Sequence, residues 1–189
     1  MSAVEAENGI GRCICDAGEI SLAIDRLAAL IAADHRRQPL LLLGVLKGAL
    51  CFAADLARAL AGKADGPSEI MVDYVGVERY GSLGSTGGAA RLTMDSSLPV
   101  TGVNIVVLDD IVDNGRTLTF VHALLEERRP AAIRTCVLFD RPARREVDVT
   151  IDYAGIVVPN VFVIGYGLDY KEQYRNLPYL AELREGQTV

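Results

Sequence analysis

A chain of 189 residues, 50% of them apolar, suits a single α/β domain with a sizeable core. No apolar run approaches the roughly 18 residues that a membrane span requires, and the N-terminus lacks the basic stretch and apolar run of a signal peptide. A net charge of −6 and a pI near 5.0 disfavour nonspecific nucleic-acid binding.

Residues 1 to about 12 are small and polar and read as a loose arm. Cys13 and Cys15, with Cys51 and Cys136 further on, have neither zinc spacing nor nearby histidines, so they read as buried or idle thiols of a cytoplasmic protein. Asp16, with Glu19 three residues on, makes a capping box. The helix it opens runs to about Ala33, with Ile20, Ile24, Leu27 and Ile31 on one face. His35-Arg36-Arg37 ends that helix with positive charge, where the macrodipole favours it, and His35 reads as a solvated residue. Leu40 to Val45 is a buried strand, followed by Leu46-Lys47-Gly48 and a helix from Ala49 to about Ala61. Open parallel sheets place ligands at such strand ends, although a lysine on a turn is the plainer reading. Gly62 to Pro67 is a turn and Glu69 to Val75 a strand. Arg79 to Ala90 is dominated by Gly and Ser, so it is either a disordered linker or a mobile lid; a strand-like Arg91 to Met94 follows.

Asn104 to Leu125 organises the rest of the chain. Ile105 to Leu108 is a continuous apolar run of the kind buried on both faces of a parallel sheet. Asp109, Asp110 and Asp113 follow, then the turn pair Asn114-Gly115. From Thr117 an amphipathic helix carries Leu118, Val121, Leu124 and Leu125 on one face. A strand–loop–helix unit of this kind points backbone N–H groups and a positive helix end outward, which suits a phosphate. The carboxylates suit sugar hydroxyls, or a Mg2+ that also bridges a diphosphate. One ligand carrying both a phosphate and a polyol satisfies the whole loop; solvated acids on a surface turn are the bland alternative. The nucleotide P-loop spacing fails, because Asp110 stands where its first glycine belongs. Ile133 to Phe139 is a further buried strand, ending in the basic turn Asp140 to Arg145. In the last third, Phe162 sits inside an apolar strand and reads as core, and Asp169 beside Tyr170 reads as a strand-end turn.

The stretch L-D-D-I-V-D-N-G-R-T-L resembles the ribose-phosphate signature of the hypoxanthine-guanine phosphoribosyltransferase family, and the similarity extends over most of the chain. It implies a parallel α/β sheet flanked by helices, in one domain spanning 1–189. The core would be about 16–150, with a small C-terminal hood from about 151–189 plus the N-terminal segment. It implies transfer of phosphoribosyl from 5-phosphoribosyl-1-diphosphate to hypoxanthine or guanine, with Mg2+, in a homodimer or homotetramer that binds neither nucleic acid nor membrane. By motif position, Asp109 and Asp110 would hold the ribose hydroxyls and Mg2+. Asp113 would serve as general acid or base near purine N7, and residues 113–117 (Asn114, Gly115, Arg116 and Thr117 among them) would cradle the 5′-phosphate. L-K-G resembles the diphosphate loop, implying that Lys47, Gly48 and Arg175 bind the leaving group, with a peptide before the lysine that is often cis. Arg141 would donate to the 6-oxo group, Phe162 would stack on the purine, Val163 would offer backbone groups to its edge, and Asp169 would bind a second Mg2+. Arg79 and Tyr80 would belong to the flexible loop that closes over the diphosphate.

Three positions depart from the family pattern: Arg79 replaces a usual serine, Asn114 a threonine or serine, and Arg141 a lysine. They keep alive an enzyme of the same fold with another acceptor base. A second alternative is a sensor of phosphoribosyl diphosphate or nucleotides that binds RNA. The acidic chain, with no basic cluster beyond Arg141 to Arg145, argues against it.

Overall fold

The computed structural model describes residues 9–80 and 89–184. Strands β2 (Pro39–Leu46), β3 (Glu69–Tyr80), β5 (Asn104–Val112), β6 (Ala132–Asp140) and β7 (Tyr153–Val157) run parallel in one sheet. β4 (Ala89–Met94) is antiparallel to β3 and ends the six-stranded order β4-β3-β2-β5-β6-β7. Parallel neighbours need crossovers; helix α2 (Leu50–Ala61) joins β2 to β3 and α3 (Arg116–Glu126) joins β5 to β6. The period-two alternation of the strands divides the core. Leu40, Leu42, Val106, Leu108, Cys136 and Leu138 face α1 (Ala17–Asp34) and α2, while Leu41, Leu43, Val45, Ile105 and Val107 face α3 through Leu118, Val121 and Leu125. Most of these side chains are completely enclosed, and each one removed from water stabilises the fold by about 1.5–3 kcal/mol.

β1 (Ile10–Cys15), β9 (Leu180–Leu183) and β8 (Val163–Ile164) form a separate antiparallel sheet in the order β1-β9-β8. This is the hood. Ile10 to Arg12 of β1 belong to the stretch expected to be a loose arm, while Tyr153–Val157 pairs with β6 in the main sheet and not with the hood strands.

Asp16 caps α1 as expected, its side chain accepting from Glu19 N while Glu19 accepts from Asp16 N. His35 does not. It is 4% exposed, its ring turned inward beside Arg134, and neither ring nitrogen has a partner among the described residues. Burial, followed by the Arg134 charge, lowers its pKa, while Arg36 and Arg37 after it are exposed. β5 runs four residues past the expected Leu108, because Asp109, Ile111 and Val112 continue the ladder with Val137, Phe139 and Asp140 of β6. β3 extends to Tyr80 by pairing with β4, so the backbone of Arg79 and Tyr80 lies on a strand. The expected flexible loop otherwise falls on residues 81–88, outside the described residues. No helix among the described residues is long and apolar enough to cross a membrane.

Candidate active site

The carboxyl ends of β2, β5 and β6 come to one edge of the sheet, and the hood approaches that edge. At the end of β5, Asp109 and Asp110 are both buried. Asp109 Oδ1 accepts from Asp110 N at 3.2 Å, and Asp110 Oδ1 accepts from Ile111 N at 2.8 Å. Burial raises the Asp110 pKa, against backbone hydrogen bonds and the Arg175 charge, which pull it down. The carboxylate lies so near the β2 loop that a Cβ at Gly48 would sit 1.8 Å from Asp110 Oδ2. Gly48 is therefore dictated by a neighbour 62 positions along the chain (110 minus 48). The Leu46–Lys47 peptide before it is cis, as the resemblance implies.

Asp113, Asn114, Gly115, Thr117 and Leu118 line a cavity of ≈ 50 Å3 with Asp109 and Ile111. That is room for about four water-sized groups, the size of one tetrahedral oxyanion. Gly115 takes φ +86° at the entrance to α3, a left-handed turn natural to glycine. The buried Asn114 accepts from Arg116 N through Oδ1 at 3.1 Å, an Asx turn that holds the loop at the helix start. Arg116 itself pairs outward with Glu146 at 3.0 Å.

Arg141 is 6% exposed and grips Asp113 with two prongs, Nε to Oδ1 at 3.1 Å and Nη2 to Oδ2 at 2.9 Å. Its Nη1 donates to the carbonyl of Val161, at the start of the hood. Five donors are available on a guanidinium, so two N–H groups remain beyond these three bonds. Arg144 stands 3.7 Å from Asp113, and Arg145 donates to the Asp113 carbonyl at 3.0 Å.

On the hood side, Phe162 is 46% exposed and meets the edge of Tyr170 at 5.9 Å between ring centroids. It does not lie in the core, contrary to the plain reading of an aromatic in an apolar strand. Leu183 N donates to Phe162 O, and Val163 stands opposite Glu182. In an antiparallel ladder this alternation turns the Val163 peptide groups away from β9, toward the free edge of β8.

Arg175 reaches back from residues 165–175. It donates through Nη1 to Gly167 O at 2.7 Å and pairs through Nη2 with Asp169 at 2.7 Å. Its Nε is buried without a partner among the described residues. Arg175, Lys47 and Glu172 share a cavity of ≈ 300 Å3 with Leu46, Gly76, Val77, Glu78, Thr93 and Met94. Lys47 pairs there with Glu172 at 3.0 Å.

Of the motif residues, Asp109, Asp113, Asn114, Gly115 and Thr117 line the first cavity and Lys47 and Arg175 the second, while Arg116 turns to Glu146; the side chains of Arg79 and Tyr80 are not described. Glu172 and the carbonyl of Val161 carry no signal in the sequence. Glu172 is one charge in a polar turn, and its partner lies 125 positions away. Arg144 and Arg145 were legible only as a basic turn.

A family model described as a phosphoribosyl transferase domain matches residues 14–171. The hypoxanthine-guanine phosphoribosyltransferase of Streptococcus pneumoniae is 34% identical over 179 residues, 95% of this chain and 96% of that enzyme. The bifunctional protein TilS/HprT of Listeria monocytogenes is 35% identical over 94% of this chain, which spans only 26% of that longer protein. A crystal structure of a hypoxanthine-guanine phosphoribosyltransferase from Bacillus anthracis, with HEPES in its active site, superimposes with a TM-score of 0.84 at 34% identity, covering 92% of this chain and 98% of that one. With the fold, the loop geometry and these matches in agreement over nearly the whole length, the chain belongs to the hypoxanthine-guanine phosphoribosyltransferase family.

Proposed function

We propose that the protein is a purine-salvage enzyme that transfers phosphoribosyl from 5-phosphoribosyl-1-diphosphate to N9 of hypoxanthine or guanine. The anomeric C–O bond to diphosphate breaks, the C–N9 bond forms, and the purine gives up one proton. The observation that carries the reading is the meeting of Lys47 and Arg175 at one cavity, together with an oxyanion-sized pocket on the Asp113–Leu118 loop. The two anionic ends of the donor would occupy these two places, with Asp109 and Asp110 between them at the ribose hydroxyls. Preorganised cations at the leaving group oppose the charge that develops there as the bond breaks. Phe162 would stack its exposed ring on the purine, and Asp113, held by Arg141, would exchange a proton with it.

Asp109, Asp110 and Asp169 carry the hard oxygens that would hold Mg2+, the buried Asp109 and Asp110 lying together at the end of β5. An ion held by one or two carboxylates takes water and substrate phosphates to complete its shell. When bound, it would neutralise charge on the diphosphate. Four free thiols fit a reducing, cytoplasmic setting, and burial pushes the Cys15 thiol up to about 12, leaving it unreactive. We expect a homodimer or homotetramer, which light scattering on the purified protein would measure.

The test is a spectrophotometric assay with Mg2+ and phosphoribosyl diphosphate, offering hypoxanthine, guanine, xanthine and adenine separately. Turnover with 6-oxopurines and not adenine is the expected result; turnover with none would reject it. Because Arg141 is already committed to Asp113 and Val161, the same assay also addresses a second reading, in which a different base is the acceptor.

A further inference from the structure

We propose that Glu172 is an internal counter-anion, holding Lys47 and Arg175 together until the diphosphate displaces it and thereby setting the affinity of the site for that group. This rests on the phosphoribosyltransferase reading above, and concerns a residue to which the motif gives no role. The Glu172 carboxylate lies 3.0 Å from Lys47 Nζ and 3.4 Å from Arg175 Nη2, so one side chain meets both cations at the cavity wall. Lys47 comes from the end of β2 and Arg175 from the segment leading to β9; among the described residues this acid bridges them.

Two further observations indicate that the bridge is built and also displaceable. The backbone presents Glu172 from an unusual conformation: Lys171, Glu172 and Tyr174 have φ of 52°, 64° and 74°, a region that side-chain-bearing residues rarely occupy and that gathers at functional sites. Glu172 N donates to Asp169 Oδ2 at 2.9 Å, fixing the turn from its other side. The contact with Lys47 is nevertheless solvated, with side-chain exposures of 66% for Lys47 and 65% for Glu172. Ion pairs in water contribute little and are screened. A diphosphate carrying several charges therefore displaces a single carboxylate, while the carboxylate keeps two like charges from repelling each other when the site is free. Glu172 touches no reacting atom; it is a positioning residue.

The experiment is calorimetric titration of inorganic diphosphate with Mg2+ into the wild-type chain and into Glu172→Gln, which keeps size and removes charge. Diphosphate should bind the variant more tightly by about three- to tenfold, the scale of one lost solvated competitor. The KM for phosphoribosyl diphosphate should fall by a similar factor with the KM for purine unchanged. Glu172→Lys should bind diphosphate more tightly still. Both variants should keep the wild-type unfolding midpoint, since the side chain is exposed. Equal or weaker binding by both variants would overturn the proposal, showing that Glu172 only organises the two cations. If the wild-type chain turns over purines while the variants bind as it does, the role of Glu172 falls alone; if no chain binds diphosphate, the functional reading falls with it.

Discussion

Arg141 joins two requirements that a lysine in its place would meet separately. Its planar fork fixes both oxygens of Asp113, and its remaining nitrogen holds the hood at Val161. An ammonium is a point charge and cannot reproduce this bidentate geometry. Arg141→Ala would leave the Val161 carbonyl and a partly buried carboxylate without their partner, and should lower stability by about 1–3 kcal/mol in thermal denaturation. Arg141→Lys should recover most of that stability and not the wild-type turnover. Asp113→Ala should cut kcat by about 10²–10⁴ while changing the KM for phosphoribosyl diphosphate little, as removal of a proton-transfer group does. Equal losses in both parameters would make Asp113 an organiser of its loop.

The loops between elements carry the chemistry, and their packing explains which parts of the site could be read in advance. Gly48→Ala would drive a methyl group into Asp110. The L-K-G loop or the Asp110 carboxylate must then move by the order of 1 Å, a displacement that costs roughly 10²-fold in rate while leaving the strands intact. Asp16→Ala is the matching control. Loss of its capping box should cost about 1 kcal/mol in denaturant unfolding with kcat unchanged, because none of the residues assigned to the site lies on α1. The capping box, the apolar strands and the D-D-I-V-D-N-G-R-T loop were legible because each is a local pattern: a cap three residues wide, an alternation, a turn between strand and helix. The burial of His35, the place of Tyr153–Val157 in the main sheet and the Glu172 bridge were not. Each depends on a partner far along the chain: Arg134 of β6, β6 again, and Lys47.

At the scale of the molecule, a buried and a half-buried histidine link the fold to pH. Burial lowers the pKa of His35 and also of His122, whose Nε2 lies 2.7 Å from the Thr135 hydroxyl. A histidine depressed in the folded state binds its proton more readily when unfolded. Its contribution to stability is complete above the unfolded value of about 6.5 and is lost as pH falls below that value toward the folded one. Stability should therefore decline from about pH 6.5 downward, with a slope of up to ~1.4 kcal/mol per pH unit for each such group. Urea titrations at a series of pH values should show a shallower decline for His35→Leu; an identical slope would mean that His35 takes up its proton as readily in the folded chain as in the unfolded one.

The position of β9 in the centre of the hood, between β1 and β8, has a consequence for the order in which the protein becomes competent. The main sheet is complete by Val157, so it can close while the rest of the chain is still being synthesised. Strands β1 and β8 have no mutual pairing; each waits for residues 180–183. A chain ended after Tyr179 should keep its core and bind diphosphate weakly, yet lack the support that holds Phe162 and Val163, and purine turnover should vanish. During translation the donor side of the site would then exist before the acceptor side. A nascent chain would be able to hold the activated sugar but not to use it until residues 180–183 emerge.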